Sequence, residues 1–92
     1  MTESESLETR KKRLRFRSWH RGTREMDLLI GGFIDANLES FDQRQVGLME
    51  DLLRQSDPDL YAWIAGKASP PPDSDHEVMH RLRAHRFEPP GP

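Results

Sequence analysis

The chain has 92 residues, 33% of them charged and 34% apolar, which is enough for one domain with a modest core and too little for a deep cleft walled on all sides. It has no cysteine, which excludes disulfides, thiolate metal sites and a cysteine nucleophile. The net charge of −2 conceals an asymmetry: residues 1–8 carry three acids, residues 9–24 carry eight Lys/Arg and no acid, and residues 25–92 carry six basic and thirteen acidic side chains.

The periodicity is helical throughout, with no apolar/polar alternation long enough for a strand. Residues from about Ser4 to Arg17 predict a first helix with few apolar residues, Leu7, Leu14 and Phe16 with Trp19 following; Leu7 and Leu14, seven apart, form a thin stripe that the stems of Arg and Lys extend. Gly22 and Thr23 break it, glycine for its backbone freedom and threonine as an N-cap. Met26, Leu29, Ile30, Phe33, Ile34 and Leu38 then follow the spacing of one buried helix face. Glu25 and Asp27 fall in the first turn of that helix, where its dipole favours negative charge. Gly31-Gly32 inside it predicts a bend or a close approach of another element.

Ser40 with Gln43 reads as a capping box for a helix burying Val46, Met49, Leu52 and Leu53. Asp57 as cap and Pro58 at the first helical position open the next helix. Its inner face is Leu60, Trp63 and Ile64, and Gly66 ends it. Tyr61 and Trp63 read as core-edge and core residues. Pro70-Pro71-Pro72 stiffens a linker, and Ser74 with Glu77 reads as a box opening a last helix on Val78, Met79 and Leu82. The expectation is an all-α, single-domain five-helix bundle. Residues 1–8 are expected as an acidic flexible N-terminus, 9–87 as the helical domain and 88–92 as a disordered Pro-rich tail. No apolar run suits a membrane span and Met1–Glu8 lacks an apolar signal core, so a cytoplasmic location without membrane insertion is the expectation.

Three constellations carry potential chemistry. His76-Glu77-Val78-Met79-His80 is a literal H-E-x-x-H, and two histidines at i and i+4 can bind zinc with the glutamate as general base. Against it stand the short chain beyond the motif, the missing third ligand and a capping role for Glu77. The run from Arg10 to Arg24 could bind phosphates, but the acidic body would repel a polyanion, so no nucleic-acid partner is expected. The segment Arg21-Gly22-Thr23-Arg24-Glu25 concentrates opposite charges around a glycine between two helices. It reads equally as a capped turn with an internal Arg–Glu pair or as a docking point, where Arg21 meets a carboxylate and bulk at Gly22 would obstruct a partner.

Those five residues match the R-G-x-x-E signature of the SdhE family, called succinate dehydrogenase assembly factor 2 in mitochondria. Asp57-Pro58-Asp59-Leu60-Tyr61-Ala62-Trp63 resembles that family's D-P-D-L-[FY]-x-W segment, and Glu77-Val78-Met79 with Arg81-Leu82 resembles its last helix. The blocks stand in order at matching distances, and the resemblance covers roughly residues 14–87. It implies a five-helix assembly factor that is not an enzyme. Such a factor binds the flavoprotein subunit of succinate dehydrogenase, and in some bacteria that of fumarate reductase, and promotes covalent attachment of FAD to it. FAD would be handled through the partner, with no cofactor or metal bound stably by this chain. Carried over by position, Arg21, Gly22 and Glu25 are the expected partner-binding residues, with Asp27 beside them. A zinc hydrolase using His76, Glu77 and His80 is the alternative.

Overall fold

A computed structural model describes residues 5–85. Five α-helices follow in chain order: α1 (Leu7–Trp19), α2 (Arg24–Asn37), α3 (Gln43–Leu52), α4 (Asp57–Ile64) and α5 (Glu77–Ala84). Single 3-10 turns at Leu38–Ser40 and Pro72–Ser74 close the ends of the α2–α3 and α4–α5 connections. No strand occurs among the described residues.

One core holds the bundle. α2 is its axis, with Met26, Ile30, Phe33 and Ile34 buried on one face. Leu14 of α1, Val46, Met49 and Leu52 of α3, Leu60 and Trp63 of α4, and Val78, Met79 and Leu82 of α5 pack into the same cluster. Each such side chain contributes about 1.5–3 kcal/mol by leaving water. Phe16 stands off the Leu7–Leu14 stripe of α1 and is 62% exposed. It lies two residues beyond Leu14, which is about 200° around a helix of 3.6 residues per turn.

Gly31 explains how α1 and α2 come together. A Cβ there would stand 2.3 Å from Cδ2 of Trp19, so the indole lies directly on the α2 backbone. Its Nε1 donates to Asp35 at 3.2 Å. Gly31 therefore serves a close approach.

The caps show where neighbouring signals compete. Ser6 caps α1 by accepting from Thr9 N. The expected start at Ser4 lies outside the described residues, and the expected boundary at residue 8 falls inside α1. Ser40 does not cap α3. It sits in the 3-10 turn, and Asp42 with Gln45 forms the reciprocal box. Ser56, not Asp57, caps α4, which places Pro58 at the second helical position, where its missing N–H costs no helical bond. Ser74 is buried in the second 3-10 turn, and His76 caps α5 in its place. Gly66, at φ +78°, does end α4. The bonds Lys67 N to Ala62 O (2.8 Å) and Gly66 N to Trp63 O (3.2 Å) complete a Schellman motif. The Pro-rich segment 88–92 lies outside the described residues.

Candidate functional site: a clamped turn between α1 and α2

The four residues between α1 and α2 are held from two sides. Gly22 adopts φ +116°, a conformation glycine takes without strain. The amides of Arg21 and Gly22 both donate to Asp27 Oδ1, at 2.6 and 3.3 Å. Thr23 Oγ1 accepts from Met26 N at 3.2 Å and starts α2.

The Arg21 side chain runs inward and is 11% exposed. Its Nε and Nη2 donate to Asp57 Oδ1 at 2.9 and 2.7 Å. Nη1 donates to the Leu53 carbonyl at 2.7 Å, and Nη2 to the Gln55 carbonyl at 3.0 Å. Helix C-termini leave their last carbonyls without intrahelical partners. Arg21 satisfies two such acceptors at and beyond the end of α3 and pairs with the first residue of α4. A planar guanidinium reaches three acceptors at once, which an ammonium on a single stem does not match. The internal Arg21–Glu25 pair that the sequence allowed is not formed. Arg21 takes Asp57, and that carboxylate is free to accept because Ser56 does the capping.

The signature thus divides. Arg21 and Asp27 face into the fold and fix the turn. Gly22 and Glu25 face out: a Cβ on Gly22 would meet nothing within 4 Å, and Glu25 is exposed with no hydrogen bond or ion pair among the described residues. Glu25 occupies the first turn of α2, where the positive end of the dipole stabilises its charge.

Four of the eight basic side chains of the run are ion-paired among the described residues, Arg21 with Asp57 and three more on α1. Arg10 pairs with Glu50 at 2.8 Å, Arg15 with Asp35 at 3.3 Å and Arg13 with Glu5, while Lys11 donates to the Glu39 carbonyl. The Glu50 hydrogen bond raises the Arg10 pKa further above its ordinary value. Arg17 and Arg24, either side of the clamped turn, form no ion pair among the described residues.

The H-E-x-x-H residues are otherwise engaged. His76 is a cap whose Nδ1 accepts from Met79 N at 3.2 Å, leaving the ring proton on a buried, unpartnered Nε2. Burial, then the proximity of His80, lowers the His76 pKa. His80 Nε2 stands 2.7 Å from Asp75 at the surface. Glu77 accepts from Arg44 and Gln45, and these bonds hold its carboxyl below the usual range. Among the described residues no three His, Cys, Asp or Glu converge to hold a metal. The zinc alternative is set aside because all three of its residues have other structural partners.

Residues 12–86 match the family Sdh5, described as the flavinator of succinate dehydrogenase. The chain belongs to this family. It is 37% identical over 78 residues to the FAD assembly factor SdhE of Acetobacter pasteurianus, covering 85% of this chain and 72% of that one. It is 40% identical over 83 residues to the mitochondrial succinate dehydrogenase assembly factor 2-B of Drosophila mojavensis, covering 88% and 53%. The factor from Dictyostelium discoideum is 35% identical, covering 90% and 59%. The chain spans little more than half the length of these mitochondrial relatives. Within the family match lie both the clamped turn and Asp57. That residue was read from sequence only as a cap, and its place in the D-P-D-L segment was the signal available for a second role.

Proposed function

We propose that this chain binds the flavoprotein subunit of succinate dehydrogenase and promotes covalent attachment of FAD to it. Family membership and the clamped turn support this reading. The observation that carries it is the division of the R-G-x-x-E segment. Its arginine locks three helices around the turn, so Gly22 and the uncompensated Glu25 are presented on a rigid support. Rigid presentation limits the ordering cost of association. An assembly factor works by positioning the groups that react, and effective molarities from positioning alone are large. On this reading the flavin and the flavoprotein supply the reacting atoms, FAD is held by the partner and this chain is not an enzyme. The fumarate reductase flavoprotein is proposed as a further client. No described helix is long and apolar enough to cross a membrane, and the cytoplasm is proposed as the place of action.

The test is deletion of the gene in its host, followed by in-gel flavin fluorescence of the denatured flavoprotein subunit. The expected result is loss of covalent flavin, restored by the wild-type chain and not by the Glu25→Ala variant. Unchanged covalent flavin after deletion would overturn the proposal.

A further inference from the structure

Two large apolar side chains stand out at the surface of the described residues: Phe16, 62% exposed, and Tyr61, 36% exposed. Single exposed apolar residues are ordinary. These two are joined by the clamped turn. A hollow lined by Phe16, Arg17, His20 and Leu53 shares His20 with a second, lined by Gly22, Thr23 and Leu28. That second hollow shares Arg24 and Leu28 with a third, lined by Glu25, Leu29 and Tyr61. The surface is therefore one strip with an aromatic ring near each end and the turn in its middle.

Both rings are held before any partner arrives. Phe16 stacks on His20 with centroids 3.9 Å apart and planes 15° from parallel. The His20 Nδ1–H donates to the Phe16 carbonyl at 2.6 Å. Lys67 Nζ lies 5.5 Å from the Tyr61 ring centroid. Aromatic anchors already ordered lose little entropy on docking, and such residues dominate interface energetics. Among the described residues, the exposed charges of the strip that form no ion pair are the cations Arg17 and Arg24 and the acid Glu25, while the half-buried Asp27 accepts the Arg21 and Gly22 amides. Its charge complement is an acidic face with one basic group.

We infer that Phe16 and Tyr61 are the two apolar anchors of the partner interface, seated in apolar hollows on an acidic face of the flavoprotein subunit. The inference rests on the proposed function and extends the interface beyond the signature to α1 and α4.

The test is a titration of the full chain against the purified succinate dehydrogenase flavoprotein subunit, with Phe16→Ala, Tyr61→Ala, the double variant, Glu25→Ala and the control Lys12→Ala. Each aromatic variant is expected to weaken binding at least ~10-fold and the double variant about 100-fold. Unfolding midpoints should stay unchanged, and Lys12→Ala should bind within about twofold of wild type. Aromatic variants binding like wild type while Glu25→Ala loses affinity would overturn the anchors and leave the function standing. No binding by the wild-type chain would overturn the function, and the anchors with it. A wild-type dimer dispersed by Phe16→Ala in sedimentation would assign the strip to a second copy of this chain and overturn the inference.

Discussion

The turn at residues 21–27 and the segment at residues 74–80 have similar ingredients and opposite outcomes. Each opens a helix, and each places acids beside basic or imidazole groups in a recognisable pattern. At 74–80 the fold uses the functional groups itself. His76 is a cap, Glu77 holds Arg44 and Gln45, and His80 faces Asp75. At 21–27 the fold uses Arg21 and Asp27 and leaves Gly22 and Glu25 outside. A motif acquires a function through the groups its own fold leaves unengaged.

The largest expected effect is at Arg21. Arg21→Ala leaves Asp57 without its cation and two carbonyls without donors. We expect a loss of about 3 kcal/mol in urea unfolding, the lower range for breaking a mostly buried pair. Arg21→Lys should recover little of it, because one ammonium does not span the three acceptors. A loss below about 0.5 kcal/mol would show that the clamp does not hold the turn.

Gly22→Ala comes next. Space is open around the position, so the cost is that of φ +116° alone, about 1–2 kcal/mol. Gly22→Arg combines that strain with bulk on the outward face. It should lose flavinylation by more than Gly22→Ala, as in-gel flavin fluorescence of the client would record.

At the second region His76→Ala should cost about 1 kcal/mol at pH 7.5 through the lost cap, and His76→Asn should restore it, since asparagine caps well. The lowered His76 pKa gives the sign of the pH dependence. Below pH 6.5, the ordinary histidine value, the unfolded chain takes up a proton that the folded chain resists. Stability is therefore full above pH 6.5 and declines as pH falls towards the folded-state value. The lowered Glu77 pKa acts in the same direction below pH 4.5. His76→Asn should flatten the upper part of this decline in urea midpoints taken across pH. Neither His76 variant should alter flavinylation, whereas variants on the outward side of the turn should.

The helices were readable because each buries one face at helical spacing, and α2 with Met26, Ile30, Phe33 and Ile34 is the clearest case. Three caps moved by one or two residues because Ser40 and Asp42, Ser56 and Asp57, and Ser74 and His76 offer rival local signals. Packing chooses between them: the chain buries Leu38 and Phe41 before α3 begins, and Ser74 before α5. The R-G-x-x-E segment was legible as a site, yet its division was not. Arg21 and Asp57 are 36 residues apart, and no local rule joins them. The exposure of Phe16 follows from helix geometry once Leu14 is fixed as the buried neighbour.

The most direct test of the division is the Glu25→Ala variant, with urea unfolding and client flavinylation measured on the same protein. An unchanged unfolding midpoint with loss of covalent flavin is the predicted result. Wild-type flavinylation, or a loss that comes with a fallen midpoint, would contradict the assignment of Glu25 to the outward, partner-facing side.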